Sequence, residues 1–376
     1  MIKPNTLHII SFDNPFPPVY GGVIDVFYKI KALHELGIEI HLHCFVSEVP
    51  TQFREIEAIT KKVDFYKTSA NPFLIFAKVP LSVARRNNNV LLANLEKINA
   101  PILFESLKTT YLVDTDTLQN HHKILRLHNV EHNYFEGISK SEKSLFHKII
   151  FGLEAIKYKN YEKVIHKFDT VITLSHFETR HVNDNFKDAV YVPVFHGNEK
   201  VSVLSSFGKY AFYHGDLRMS DNKRAVNFLI GVFKNIPNYK LIIASGCGAA
   251  FVEKQIEGFS NISYVAIQNQ NHLNLLLEEA HINVMLSFQE SGTKLKLINS
   301  LFKSRFCIIN ANIVDDVNIR SLCHVAETES EFINQVNQLK DQPYLDFENR
   351  QKVLSQVLND HNNARLIEDI IFKEKV

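Results

Sequence analysis

One stretch of the chain, residues 282–310, constrains the fold most, because it has the pattern of strand, loop, helix and strand in succession. An apolar run at 282–286 is followed by a short polar loop at 289–293. The next apolar residues recur at the spacing of one helical face: Leu295, Leu297, Ile298, Leu301 and Phe302. A second apolar run at 306–309 completes the unit. The pattern predicts an α/β sheet with helices packed on it.

The loop of this unit is a candidate anion site. It lies at the carboxyl end of its strand and opens a helix, where α/β sheets bind ligands and where backbone amides favour anions. The residues concerned are Glu290, Ser291, Gly292 and Thr293 in the loop, with Lys294 and Lys296 after it. From this segment alone, an ordinary loop with solvated lysines is an equally good interpretation.

The beginning of the chain has a similar pattern. Residues 7–12 predict a strand, Val23–Leu36 a helix and 38–45 a second strand. Gly21 and Gly22 lie at the junction of loop and helix, where glycines allow a phosphate to approach the backbone amides. The sequence is not G-x-G-x-x-G, which argues against a dinucleotide site. A plain tight turn remains the alternative.

A change of pattern near the middle of the chain predicts two domains. The segment 195–208 has no strand or helix periodicity, and strand-helix alternation resumes at Tyr210. We therefore predict an N-terminal Rossmann-like domain at residues 1–200 and a C-terminal one at 207–358. A last helix at 360–376 is expected to pack back on the first domain.

Residues 128–132 match H-x-x-E-H, a zinc-protease pattern that needs both histidines on one face of a helix. The segment follows a predicted strand, and no third protein ligand is evident, so we predict no metal site. We expect instead that His128 projects from the strand end into a cleft, with a hydrogen-bonded loop histidine as the alternative. His121 and His122, which precede the strand, are expected at the surface.

Residues 144–168 predict one long helix with apolar periodicity at Leu145, Ile149, Leu153 and Ile156. Several lysines accompany these residues and could meet anionic lipid headgroups. Glutamates at 142, 154 and 162 interrupt the basic character, which favours a solvated face.

Composition limits the function classes. The chain has 42 basic and 41 acidic residues, a net charge of +1 that gives no support to nucleic-acid binding. Its four cysteines form no C-x-x-C pair, and Cys44 and Cys307 lie in apolar runs, as buried thiols of a reducing compartment do. No apolar stretch reaches membrane-spanning length. We predict a cytoplasmic location, with peripheral contact at the inner face of the membrane left open.

Five segments, taken in order, resemble glycosyltransferases with the GT-B fold, in which two Rossmann-like parallel-sheet domains face a cleft. They are ISFDNPFPPVYGG, LRLHNVEHNYF, the helix leading to FDTVITLS, YHGDLRMSDNKRAVNFL and SFQESGTKLKLINSLFKSRFCIIN. The closest resemblance is to the retaining family 4. It implies that the first domain is the acceptor side and that the second binds the nucleotide sugar.

The resemblance also implies roles for individual residues. His128 would face the transferred sugar, and Glu290 would bind sugar hydroxyls, as the catalytic pair. The remaining residues would bind the donor: Gly21, Gly22, Gly215, Arg218, Ser291, Gly292, Thr293, Lys294, Lys296 and Asn299.

Two positions depart from the family pattern. Asn299 stands where a second glutamate would bind the ribose. The lysine expected a few residues after Arg218 has no clear counterpart, the nearest residues being Lys223 and Arg224.

The expected activity is transfer of a hexose from a nucleotide sugar to a glycan or lipid-linked saccharide, with retention, without a metal or other cofactor, in cell-surface polysaccharide synthesis. Two alternatives are a nucleotide-sugar epimerase and a non-catalytic GT-B scaffold that binds a partner. The missing second glutamate favours the scaffold somewhat.

Overall fold

The computed structural model describes residues 5–142, 144–289 and 294–373. The chain forms two compact units, Met1–Gly197 with Leu358–Val376 and Asn198–Val357. The predicted site residues Glu290, Ser291, Gly292 and Thr293 lie outside the described residues.

The strands alternate with helices along most of the chain. In chain order the strands are β1 (Thr6–Ser11), β2 (Glu39–Val46), β3 (Lys62–Lys67), β4 (Ile102–Glu105), β5 (Lys123–Leu127), β6 (Thr170–Thr173), β7 (Ala189–Tyr191), β8 (Tyr210–His214), β9 (Leu241–Ser245), β10 (Ile262–Ala266), β11 (Ala280–Met285), β12 (Phe306–Ile309) and β13 (His324–Val325).

The α-helices, in the same order, are α1 (Gly21–Glu35), α2 (Arg54–Glu57), α3 (Leu81–Ala84), α4 (Asn89–Leu95), α5 (Glu131–Ser141), α6 (Leu145–Tyr161), α7 (His176–Asn185), α8 (Ser220–Phe233), α9 (Ala249–Ile256), α10 (Gln270–Glu279), α11 (Leu295–Lys303), α12 (Val317–Arg320), α13 (Glu329–Leu339), α14 (Phe347–Val357) and α15 (Asp360–Phe372). Short 3-10 helices lie at Pro72–Phe76, Leu107–Thr109, Asp116–Leu118, Glu162–Lys167 and Ala311–Ile313.

The first unit is built on a parallel sheet whose strand order, within the described residues, is β3-β2-β1-β4-β5-β6-β7. The chain leaves β1 on one side towards β2 and returns to the other side at β4. Such a reversal opens a crevice at the carboxyl ends of the two strands, where ligands bind in open α/β sheets. Buried aliphatic and aromatic side chains cover both faces of this sheet.

The second unit repeats the design with the order β10-β9-β8-β11-β12-β13 among its described strands, all parallel. Its reversal point lies between β8 and β11. The second unit also has a core on each face of its sheet. The segment 282–310 contains most of β11 and all of α11 and β12.

The end of the chain returns to the first unit, where α15 packs against α1. The carboxylate of Asp360 at the start of α15 accepts the amides of His196 (3.3 and 3.2 Å) and Gly197 (2.7 Å). These bonds fasten the last strand-to-linker segment of the unit to its C-terminal helix.

Two features differ from the sequence-based expectations. The single helix predicted at 144–168 is α6 followed by the 3-10 turn Glu162–Lys167, and α5 precedes it. His121, expected at the surface, is buried, and its Nδ1 lies 2.8 Å from the carbonyl oxygen of Ala100. Among the described residues, no helix is long and apolar enough to span a bilayer.

Candidate functional site

A network of buried charges lies below the carboxyl ends of β4 and β5 in the first unit. Asp25, on the inner face of α1, forms a bidentate ion pair with Arg126 of β5, with Nε–Oδ2 and Nη2–Oδ1 distances of 3.0 and 2.8 Å. The amide of Phe195 donates to the same carboxylate at 2.8 Å. The Asp25 carboxylate is therefore fixed by two partners from distant parts of the chain.

The network continues to His128 through Glu105, the last residue of β4. Lys29 Nζ lies 2.9 Å from the Asp25 carboxylate and 2.7 Å from that of Glu105. The other Glu105 oxygen pairs with Nε2 of His128 at 2.8 Å. Because Nε2 faces the Glu105 carboxylate, it carries a proton and donates a hydrogen bond. This hydrogen bond fixes the orientation of the His128 ring.

The two carboxylates stay ionised inside the protein. Burial alone would raise the pKa of Asp25, but the charges of Arg126 and Lys29 outweigh it and hold that pKa below its usual range. Burial opposes ionisation of Glu105 as well, and the charge of Lys29 together with the His128 hydrogen bond lowers the pKa of Glu105. The network thus contains two carboxylates balanced by one lysine and one arginine.

Asp25, Glu105 and His128 present their ligand atoms within 4.8 Å of one another, as a metal site would. The ammonium group of Lys29 already lies between the two carboxylates, at the place where a cation would be held. These residues therefore do not fit a metal ion.

One aromatic ring, that of Phe12, lies beside both Gly22 at the start of α1 and His128. A Cβ on Gly22 would lie 2.7 Å from the tip of the Phe12 ring, so any larger residue would force this ring to move. The same Phe12 ring meets the His128 ring edge-on, with centroids 5.3 Å apart. Within the described residues, the N-cap residue Tyr20 makes no side-chain capping bond, so the first-turn amides beside Gly21 and Gly22 remain suited to an anion.

The residues of the H-x-x-E-H pattern point to three different partners. His128 pairs with Glu105, and Glu131 forms an ion pair with Lys108, with 3.3 Å between Oε1 and Nζ. His132 Nδ1 lies 2.6 Å from Glu162 Oε1. His128 precedes α5, whereas Glu131 and His132 belong to it. The pattern is therefore not a metal-binding unit in this chain.

His132 does join another cluster with Glu162 and His181, whose ligand atoms lie within 4.8 Å of one another. His181 Nε2 is 3.1 Å from the second oxygen of Glu162. Two ligands of a tetrahedral zinc lie about 3.3 Å apart, which exceeds the 2.6 Å His132–Glu162 separation. Burial would raise the pKa of Glu162, but hydrogen bonds from both histidines lower it. The Glu162 carboxylate thus joins α5, the 3-10 turn Glu162–Lys167 and α7 by hydrogen bonds.

In the second unit, Gly215 and Lys296 come together at the reversal point. The Lys296 ammonium lies 3.5 Å from Asn222 Oδ1 and 5.1 Å from the centre of the Tyr213 ring. A Cβ on Gly215 would lie 3.0 Å from the Tyr213 hydroxyl and 3.1 Å from the Asn222 amide carbon. Tyr213 and Asn222 are therefore shared neighbours of the glycine and the lysine.

Lys296 is poorly neutralised at this position. Burial and the charge of Lys294 lower the pKa of Lys296 from 10.5 to about 8, against a smaller opposing effect of the Asp221 charge. Burial and the charge of Lys296 in turn lower the pKa of His214, at the end of β8, to about 3, which keeps this imidazole neutral. Among the described residues no carboxylate lies within ion-pair distance of the Lys296 ammonium. A bound anion would supply the missing charge.

The predicted site residue Arg218 is differently placed. Its exposed guanidinium forms a two-pronged pair with Asp216, two residues earlier, at 2.6–3.0 Å. The hydrogen bond from Arg218 lowers the pKa of Asp216 to about 2. Lys223 and Arg224, the other basic candidates, lie over the rings of Phe251 (5.7 Å) and Phe288 (3.7 Å).

Described residues on either side of the predicted donor loop are held by hydrogen bonds to other segments of the second unit. Asp221 of α8 accepts the Ser287 hydroxyl and the Phe288 amide, both at 3.0 Å, and so fixes the exit of β11. The amide of Lys294 donates to the Ile313 carbonyl oxygen at 3.2 Å. Asn299, on α11, accepts the Asn198 side-chain amide at 3.1 Å.

Sequence reasoning missed the partners of His128. Asp25 and Lys29 are charged residues four positions apart on the buried stripe of α1, and Arg126 interrupts the apolar run of β5. Charged residues at predicted core positions are the signal that could have marked them, because ions are buried only when paired.

Comparison with known proteins supports this architecture. No family model matches the chain. An uncharacterised 44.6 kDa protein in the cps region of Klebsiella pneumoniae is 23% identical over 321 residues, covering 80% of this chain and 81% of that protein.

Solved glycosyltransferase structures match over nearly the whole length. Sucrose-phosphate synthase from Thermosynechococcus elongatus superposes with a TM-score of 0.74 at 14% identity, covering 97% of this chain and 98% of that one. Anabaena HepE in complex with UDP-glucose has a TM-score of 0.64 at 10% identity, with 97% and 98% coverage. The chain has the GT-B glycosyltransferase fold, which confirms the predicted fold class and the resemblance to GT-B glycosyltransferases.

Proposed function

We propose that this chain is a glycosyltransferase that moves a hexose from a nucleotide sugar to a glycan or lipid-linked saccharide. One observation carries the proposal: a GT-B fold that matches glycosyltransferases end to end has an under-neutralised lysine, Lys296, at the reversal point of its second sheet. A leaving nucleoside diphosphate is the anion that such a position suits.

The proposed donor site is in the second unit. Lys296 and Lys294 would bind the diphosphate near Gly215, and Asn299 would hydrogen-bond the ribose with a neutral amide. Arg218 would contribute once a phosphate replaces Asp216 as its partner. Glu290, Ser291, Gly292 and Thr293 remain proposed donor-loop residues on the strength of the resemblance. HepE in complex with UDP-glucose supports a nucleotide sugar as the donor class.

The proposed acceptor side is in the first unit. His128 would hydrogen-bond the transferred sugar, because the Glu105–Lys29–Asp25 network fixes its ring. Gly21 and Gly22 would leave room for the donor phosphate and the acceptor. We further propose retention of configuration, as in family 4, and a reaction in which basic residues rather than a metal stabilise the leaving group.

A role in cell-surface polysaccharide synthesis completes the proposal. Its support is the similar protein from a cps region. A lipid-linked acceptor would place the protein in the cytoplasm, in peripheral contact with the inner face of the membrane.

A panel of nucleotide sugars, scored by thermal stabilisation, tests the donor assignment. A donor at one hundred times its Kd stabilises the folded protein by about 2.7 kcal/mol. The double variant R218A/K294A should lose this shift. The control K234A/K254A removes two exposed lysines of the same unit and should keep it.

The second candidate function is a non-catalytic GT-B scaffold, favoured by Asn299 at the position of an expected glutamate. If no nucleotide sugar stabilises the wild-type chain, the scaffold replaces the transferase. If R218A/K294A is stabilised as fully as the wild type, the residue assignment is wrong.

A further inference from the structure

The helix α6 shows an apolar face to solvent. Leu145, Ile149, Leu153 and Ile156 follow the spacing i, i+4, i+8 and i+11, which places them on one stripe. Phe146 lies beside this stripe. The opposite face of α6 is the one that packs on the unit, through Ala155 and Tyr158. The outward stripe is therefore additional to the packing face.

Two phenylalanines extend the apolar stripe. The carbonyl oxygen of Ile75, in the 3-10 turn Pro72–Phe76, accepts the Lys157 ammonium at 2.6 Å, and this bond holds the turn alongside α6. Phe73 and Phe76 on that turn, and the five apolar residues of α6, are each between 54% and 83% exposed. We call these seven residues the apolar stripe: Phe73, Phe76, Leu145, Phe146, Ile149, Leu153 and Ile156.

The charges along α6 have one sign on the exposed side. Lys148 and Lys159 are exposed, and neither forms an ion pair within the described part of the chain. Glu154, the carboxylate within α6, is buried and pairs with Lys157 at 2.9 Å. Another lysine, Lys78, is exposed just after the turn that carries the two phenylalanines.

We infer that the apolar stripe is the surface by which this protein docks on an anionic lipid bilayer. A helix lying in the interface plane buries apolar side chains between headgroups and acyl chains, while lysines beside them meet anionic headgroups. A second copy of the chain fits less well. A two-fold contact through the apolar stripe would bring the lysines of both copies to the same rim.

The inference agrees with the proposed function, whose lipid-linked acceptor would be reached at a membrane surface. Its own support is the exposure and charge of the stripe. Vesicle binding and nucleotide binding are therefore measured separately, so that either proposal can fail alone.

Co-sedimentation with vesicles of equal parts phosphatidylglycerol and phosphatidylcholine tests the inference on the full chain. Wild type should pellet with these vesicles and much less with phosphatidylcholine alone. The variant I149Q/L153Q/I156Q should bind at least about tenfold more weakly, since it removes three large apolar side chains. K148Q/K159Q should lose binding about fivefold per lysine, and added salt should weaken the wild type in the same direction.

A matched control is V317Q/L275Q/L345Q, which replaces three exposed apolar residues of the second unit. It should pellet as the wild type does. All variants should keep the wild-type melting temperature and UDP affinity, because the exchanged side chains are exposed and glutamine is a good helix former.

Three outcomes would overturn the inference. The wild type fails to bind anionic vesicles, the stripe variant binds as well as the wild type, or the wild type is a dimer in sedimentation analysis that the stripe variant converts to monomer. The last result would assign the apolar stripe to a second copy of the chain.

Discussion

The carboxyl ends of the central strands carry contrasting charge arrangements in the two units. In the first, Asp25 and Glu105 are matched by Arg126 and Lys29, and every charge has a partner within 3.0 Å. In the second, Lys296 has no carboxylate within ion-pair distance among the described residues, and its pKa is lowered to about 8. The first arrangement holds a side chain in place, whereas the second is suited to receive an anion.

The largest expected effect comes from breaking the balanced network. Asp25→Asn leaves Arg126 and Lys29 buried without their shared carboxylate, so the free energy of unfolding should fall by about 3–5 kcal/mol. Urea or guanidinium unfolding of the purified variant measures this change.

A matched control exchanges an aspartate whose arginine partner is exposed. Asp216→Asn loses its pair with Arg218 at the surface and should destabilise far less. Equal losses for the two variants would show that the buried network has no special structural role.

The second prediction concerns the unbalanced position. Lys296→Met should weaken UDP binding by about 10- to 100-fold, because charge-assisted bonds to a phosphate are worth about 1.5–3 kcal/mol. The free energy of unfolding should change little, since burial of the Lys296 charge already opposes folding and Met carries no charge. Isothermal titration calorimetry with UDP measures the affinity.

Lys303→Met is the control for this variant. Lys303 lies in the last turn of the same helix, α11, and donates to Asn274 at 2.8 Å. Its variant should bind UDP as the wild type does. If Lys296→Met also binds UDP normally, the diphosphate does not lie at the reversal point.

A smaller effect is expected from pH. A diphosphate binds the protonated form of Lys296, whose pKa of about 8 in the free protein is lower than usual. Raising the pH from about 7 to about 9 removes that proton, so the affinity for UDP should fall by up to about tenfold. Lys296→Met should lack this component, which separates it from titration of the nucleotide. A wild-type decline no steeper than that of the variant would contradict the assignment.

The fold could be predicted because its signals are local. Apolar runs and helical periodicity at 7–45 and 282–310 identified β1, α1, β2, β11, α11 and β12, and the same rhythm implied parallel sheets. Glycine at the start of α1 and lysine on α11 are also local signals. These residues marked the ends of β1 and β11, where the candidate site residues lie.

The partners of those groups could not be predicted, because they are distant in sequence. Asp25 and Arg126 are 101 positions apart, and His128 meets Glu105 across 23. The outward stripe of α6 shows a second limit. Periodicity revealed that Leu145, Ile149, Leu153 and Ile156 share a face, but not whether protein covers that face. His121 was misplaced for a similar reason, since its acceptor is a backbone carbonyl in another segment.

A crystal structure of the chain with UDP bound tests the central claim most directly. We predict that diphosphate oxygens lie within hydrogen-bonding distance of the Lys296 ammonium, in the second unit beside Gly215. A nucleotide whose diphosphate instead lies at the start of α1, with Lys296 making no contact to it, would contradict the claim.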